Sequence, residues 1–217
     1  MLRNMRTPQT TPKDVRIRRG YFECRYGQLH VHNAIPPGGG FDEGTPVLAL
    51  HHGPMSGAAF GPLLPLLGRT RSVYAPDLPG FGSSDAPPTP ASVPDYAAAI
   101  GDFCDSMRFR QIDVVGYQLG SLVGAELAAG RPTGVRRLVC IGLPLDAAPD
   151  YPAKERLGRI TQPCLIIRPR DEWWQATLRG RELMPKAKLI ELPEAGAEAL
   201  ASAPSRIAEL LLDFLTP

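Results

Sequence analysis

An α/β domain is the fold class predicted for this 217-residue chain, with a mostly parallel central sheet and helices on both faces. Three observations predict it. Short apolar runs alternate with longer helix-like stretches, as in parallel strands joined by crossover helices. The runs "LVCIG" and "CLII" are near-continuously apolar, as expected of strands covered on both faces. The length suits one domain that buries a substantial core.

The elements follow in chain order. "MLRNMRTPQTTPKDV" (1–15) is basic and polar with no apolar stretch of the kind a secretory signal needs. It reads as a flexible N-terminal arm ahead of a single domain over 16–217. "YFECRYGQLHVHNA" (21–34) reads as an antiparallel hairpin entering the sheet, and "PPGGGFDEG" as a flexible connection. Six segments read as strands: "VLALHHG" (47–53), "SVYAPD" (72–77), "QIDVVGY" (111–117), "RRLVCIG" (136–142), "QPCLIIRPRD" (162–171) and "AKLIELPEAG" (187–196). Their apolar parts are too short for helices, and several end in Gly, Pro or Asp. "GAAFGPLLPLLG", "VPDYAAAIGDFCDSM", "LGSLVGAELAAG" and "WWQATLRGRELM" lie between them as helix-like stretches. In the closing "SRIAELLLDFL", Ile207, Leu210, Leu211 and Phe214 recur at i, i+3, i+4 and i+7, the buried stripe of an amphipathic helix.

Composition excludes several classes. The net charge of +2 makes no demand for nucleic acid or an acidic membrane surface. No run approaches the ~18 apolar residues of a membrane helix. Cys24, Cys104, Cys140 and Cys164 form no CxxC pair, and the last two sit in apolar runs, which suits reduced thiols in a cytoplasmic protein. No cofactor is implied. The alternating His30 and His32 point to one face of a strand, but a metal site needs a third ligand that the sequence does not identify, so they read as exposed strand polarity with no metal.

Four motifs in order carry a resemblance. They are "VLALHHGPMSGAAF", with His51, Pro54, Ser56 and Phe60; "YAPDLPGFGSSD", with Asp77, Pro79, Gly80, Gly82, Ser84 and Asp85; "GYQLGS"; and "LIIRPRDEWW", ending at Asp171. Together they resemble the α/β-hydrolase family over nearly the whole chain. The resemblance implies an α/β-hydrolase fold, with a sharp strand–turn–helix (the nucleophile elbow) at Gly116–Gly120 and the catalytic acid at Asp171. It also implies an oxyanion hole from the backbone N–H groups of Leu119 and Gly53, with His51 holding the loop. Glycines flanking such an apex leave room for an abrupt turn, and the helix N-terminus favours negative charge.

The departures from the family pattern bear on function. Gln118 stands where the family has its serine, and Ala197, in "LPEAGAEAL", stands where it has its histidine. Without a nucleophile and its base no acyl-enzyme forms, and roughly 10³–10⁴-fold over water is left from binding and the oxyanion hole. Only about fifteen residues, "LDAAPDYPAKERLGR", stand where family members often insert a helical cap, so the cap is absent or minimal. The expected protein is therefore weakly active or inactive and binds a small carbonyl or carboxylate ligand at the former active site.

Single residues keep two readings each. Gln118 hydrogen-bonds a ligand or plugs the site. His52, in place of a family glycine, is an alternative general base for a lyase, a cofactor-independent oxygenase or a slow hydrolase, or else a plain loop histidine. Ser121 lies inside the helix, and Ser56 caps the helix that follows it. Trp173 or Trp174 lines the pocket or anchors an interface, a homodimer over the capless face being one alternative. Asp146 is a second acid with nothing to act on, and Asp171 itself pairs with Arg168 or Arg170 or caps the next helix.

Overall fold

A computed structural model describes residues 14–38 and 44–216. Most of the 1–15 arm and residues 39–43 of the predicted flexible connection lie outside the described residues. The hairpin expected over 21–34 forms and extends further, as β1 (Arg16–Cys24) and β2 (Gly27–Ile35), paired in register from Arg16 with Ile35 to Cys24 with Gly27. Six more strands follow: β3 (Val47–Leu50), β4 (Val73–Pro76), β5 (Ile112–Tyr117), β6 (Val135–Ile141), β7 (Cys164–Pro169) and β8 (Lys188–Leu192). All but β6 are shorter than the segments read from the sequence, chiefly because terminal Gly and Asp residues leave the sheet to form the loops.

The sheet runs in the order β1-β2-β4-β3-β5-β6-β7-β8. The β1–β2 and β2–β4 pairs are antiparallel, and the rest are parallel. Side-chain alternation sorts the interior strands into two cores. Leu48, Leu50, Val114, Leu138, Cys140 and Ile166 face one layer. Val47, Ala49, Val115, Val139, Ile141, Leu165 and Ile167 face the other. Strands apolar at every position have to be covered on both faces, as the unbroken runs predict.

On the first face pack α2 (Val93–Ser106) and α3 (Leu119–Gly130). A capping box starts α2: Ser92 Oγ accepts from the Asp95 N–H, and the Asp95 carboxylate accepts from the Ser92 N–H. Almost all of α3 is buried: its residues are mostly apolar or small, and the buried Ser121 and Glu126 are hydrogen-bonded, to the Gly116 carbonyl and from Arg156. On the second face pack α1 (Leu64–Leu67) and, in the C-terminal region, α6 (Ala199–Ser202) and α7 (Pro204–Leu215). Ile207, Leu210 and Leu211 of the predicted stripe are buried in α7.

Two local expectations change, while the expected lack of a large cap holds. The single helix read over 57–68 is broken into a 3₁₀ turn (Gly57–Phe60) and α1, since Pro62 has no N–H and its ring clashes with the preceding turn. The short connection after β6 holds a 3₁₀ turn (Leu145–Ala147) and α4 (Ala153–Gly158), and no large cap. The four-residue α6 was not anticipated. The remaining helix, α5 (Trp174–Leu183), follows β7 as expected.

The four cysteines are free thiols, with Cys104, Cys140 and Cys164 buried. Among the described residues no helix is long and apolar enough to cross a membrane.

Candidate functional site

Because β3, β5, β7 and β8 run parallel, their carboxyl ends open on one edge of the sheet. His51–Gly53, Gln118, Asp171 and Ala197 all follow those ends. The turn between β5 and α3 is as tight as the glycine spacing predicts. A Cβ on Gly120 would stand 1.9 Å from the Leu50 carbonyl oxygen, and one on Gly116 2.3 Å from the Gly120 oxygen. At the apex Gln118 has φ 48° and ψ −110°, a sparsely populated conformation for a residue with a side chain. Its backbone holds it there: the N–H donates to the Ile141 carbonyl at 2.8 Å, and its own carbonyl accepts from the Ser121 N–H at 2.8 Å.

The Gln118 side chain is buried and turns toward Asp171, with Nε2 donating to Oδ2 at 3.3 Å. Gly142 fits beside this pair, where a Cβ would lie 3.3 Å from Asp171 Oδ2 and 3.4 Å from Gln118 Cγ. The other Asp171 oxygen accepts from the Trp173 N–H at 3.0 Å, so this carboxylate caps the turn leading into α5. Burial raises the Asp171 carboxyl above its ordinary value, against the pull of the Trp173 and Gln118 bonds. Asp171 thus does not stand alone: it holds the Gln118 amide. Nor does it pair with Arg168, which bonds Glu191 at 2.6 Å and stacks on Trp174 with its guanidinium carbon 3.7 Å from the ring centre.

Gly53 and the Leu119 side chain lie close to each other. A Cβ on Gly53 would lie 3.9 Å from Leu119 Cδ2 and 2.9 Å from the Phe81 ring. Neither backbone N–H has an acceptor among the described hydrogen bonds, and Leu119 is the first residue of α3. A free donor at a helix N-terminus favours an anionic or polarised oxygen. His51 is a brace: Nδ1 donates to the His52 carbonyl at 2.8 Å, while Nε2 accepts from the Leu78 N–H at 2.8 Å. Burial pushes its pKa down from 6.5 to about 4, so it stays neutral in the fold. The unfolded chain protonates His51 first, so stability should decline as pH falls from 6.5 toward 4. Urea unfolding at pH 7 and pH 5 reads that slope, and His51→Gln should flatten it.

His52 Nδ1 donates to the Gly53 carbonyl at 2.6 Å, leaving Nε2 as the basic nitrogen. Its ring stands edge-on to Tyr117 with centroids 5.0 Å apart. Both line a cavity of about 160 Å³ with Met55, Ala59, Ala197 and Leu200. The Tyr117 hydroxyl donates to the Ala197 carbonyl, and burial raises that phenol to about 12. A second, open groove of about 540 Å³ lies on the other side of Leu119, between the start of α2 and residues 147–152. Gln118 lines neither.

Other candidates are spent elsewhere. Ser121 is fully buried and donates to the Gly116 carbonyl at 2.9 Å. Ser56 caps the 3₁₀ turn through the Ala58 N–H. Asp146 forms an exposed pair with Arg179 at 2.5 Å. The reading of His30 and His32 as exposed is overturned, because His30 is buried and His32 half-buried. The missing third group is Asp77, whose Oδ2 lies 3.0 Å from His30 Nδ1. The sequence reading also passed over Tyr117 and Phe81, since which loop side chains fold over a site is a tertiary matter.

This strand order, with crossover helices on both faces and a tight turn from strand to helix at the sheet's carboxyl edge, defines an α/β-hydrolase-type domain. The model of the family described as alpha/beta hydrolase fold matches residues 45–164, and the chain belongs to that family. It is 32% identical over 122 residues to 2-hydroxymuconate semialdehyde hydrolase of Pseudomonas sp. (strain CF600), covering 54% of this chain and 42% of that protein. It is 32% identical over 103 residues to 2-hydroxy-6-oxo-2,4-heptadienoate hydrolase of Pseudomonas putida, covering 46% of this chain and 37% of that one. The chain thus spans less than half the length of these curated relatives. Naproxen esterase (carboxylesterase NP) from Bacillus subtilis superimposes with a TM-score of 0.80 at 17% identity, over 93% of this chain and 92% of that one, a likeness of fold.

Proposed function

We propose that this protein has given up the covalent chemistry of its family and binds a small carbonyl or carboxylate compound at the turn formed by Gln118 and Leu119. The observation that carries this reading is the partly buried Gln118–Asp171 hydrogen bond. An amide stands at the apex, engaged with the carboxylate that would otherwise orient a histidine. An amide neither attacks a carbonyl nor is displaced from one at neutral pH, so no acyl-enzyme forms. The Gly53 and Leu119 N–H groups remain to receive a ligand oxygen, and Gln118 Oε1 and its second N–H are available to a ligand's polar groups. The ligand class agrees with the names of the two bacterial relatives, one a hydrolase of a semialdehyde and the other of an oxo-dienoate.

Labelling with a serine-directed fluorophosphonate should give no adduct. Titration with a 2-oxo acid, followed by calorimetry, should give saturable binding that Gln118→Ala weakens roughly 10-fold, the loss of one hydrogen bond to a charged ligand. A covalent adduct, or binding indifferent to residue 118, would sink the reading.

One observation favours a second reading. His52 presents a basic Nε2 beside a cavity and next to Ala197, so it is placed for general-base chemistry without a covalent step. Turnover lost in His52→Ala and kept in Ser121→Ala would select this reading; equal turnover in both would reject it.

A further inference from the structure

We propose that His30, His32 and Asp77 form a binding site for a divalent transition-metal ion, independent of the reading given above. The sheet register assembles the three groups. The Asp77 N–H donates to the His30 carbonyl at 2.8 Å, and His32 pairs with Ala75 across β2 and β4, so both imidazoles share one face with the Asp77 side chain. Ala75, opposite His32, is small and leaves room for that ring. His30 Nδ1 lies 3.0 Å from Asp77 Oδ2, and His32 Nε2 lies 3.7 Å from Asp77 Oδ1. One donor atom from each of the three lies within 4.8 Å of the others. Ligands at about 2.0–2.2 Å from a zinc-like ion stand roughly 3–4 Å apart, so a shift of about 1 Å in one ring closes the set.

A structural hydrogen bond explains part of this cluster but not all of it. The His30–Asp77 contact alone would brace the end of β4. It does not account for His32: the half-buried ring packs edge-on to His30 with centroids 4.8 Å apart, makes no hydrogen bond among the described residues, and holds Nε2 3.7 Å from Asp77 Oδ1, too far for one. The carboxylate is fixed from the other side by the Gly57 N–H at 2.8 Å and the Ser83 N–H at 2.9 Å, the kind of outer support that orients metal-binding carboxylates. Tyr21 packs on the His30 ring at 5.1 Å between centroids.

Two imidazoles and one carboxylate favour zinc and its borderline neighbours over calcium or magnesium, and three protein ligands leave a position open to water. A bound ion would tie β2 to the loop over 77–85, whose Phe81 packs against Gly53.

The test uses tag-free full-length protein stripped of metal and titrated with Zn(II) by calorimetry, with Co(II) absorption as the coordination signature. We expect one equivalent bound at micromolar affinity or tighter, with a raised Tm. His32→Gln removes no hydrogen bond, so it should keep the native circular dichroism and weaken binding about 100-fold. The chain has four histidines, so His52→Gln serves as the control for the other pair and should leave affinity unchanged. Absence of stoichiometric binding, equal affinity in His32→Gln, or binding lost in His52→Gln instead would each overturn the assignment.

Discussion

Gln118→Ser combined with Ala197→His should raise the hydrolysis of an activated ester such as p-nitrophenyl acetate on the order of 10²-fold over the native chain, while neither single change reaches that level. The expectation rests on non-additivity. A nucleophile, its base and the orienting carboxylate act as a unit, so removing one member forfeits most of what all of them supply, and restoring one returns little. Asp171 bonds residue 118, and the Gly53 and Leu119 N–H groups have no acceptor among the described residues. The open groove beside Leu119 admits water, which weakens electrostatic stabilisation and sets the estimate well below a full triad's rate. His52 gives the experiment a second edge. If Gln118→Ser alone gains turnover and then loses it on adding His52→Ala, His52 is a working base. If the double variant stays at the native rate while circular dichroism reports an intact fold, residues 118 and 197 do not occupy the positions proposed for them.

The sequence made the frame of the site legible because its constraints are local. Gly116 and Gly120 announce a turn with no room for side chains, and unbroken apolar runs announce strands covered on both faces. The pairing of Gln118 with Asp171 was not legible, since the two are 53 positions apart and meet through the parallel register of β5, β6 and β7. His30 and His32 were misread for the same reason. Their alternation fixed a common face, but whether that face was wet depended on β4 arriving alongside, with Asp77 at its end. The broken helix over 57–68 was readable in principle, because Pro62 forbids a continuous helix whatever surrounds it. Tyr117 escaped notice because the variable positions of a turn motif carry no pattern, and its bond to Ala197 spans 80 positions.

Asp113→Ala should lower stability by about 3–5 kcal/mol, read as a drop in Tm of about 10 °C. Asp113 is fully buried at the start of β5, at the end of the sheet away from the site. Arg136 grips it with two bonds, Nε to Oδ1 at 2.9 Å and Nη2 to Oδ2 at 2.5 Å, and Arg71 Nη1 adds a third at 3.4 Å. Both arginines also donate to the Leu215 carbonyl, at 2.7 Å from Arg136 and 3.3 Å from Arg71, so the cluster satisfies the last turn of α7. The Arg71 side chain is 6% exposed, and its Nε has no partner among the described residues. Truncating the acid therefore leaves two guanidiniums close together with no counter-charge, one of them shut off from water. That unpaired burial, rather than the value of the ion pair itself, sets the size of the loss. Arg71→Met should consequently be much milder, because it removes a buried charge along with its incomplete hydrogen bonding and leaves the bidentate Arg136–Asp113 pair in place. Finding the two variants equally destabilised by urea would show that the carboxylate matters through packing alone and would refute the electrostatic account.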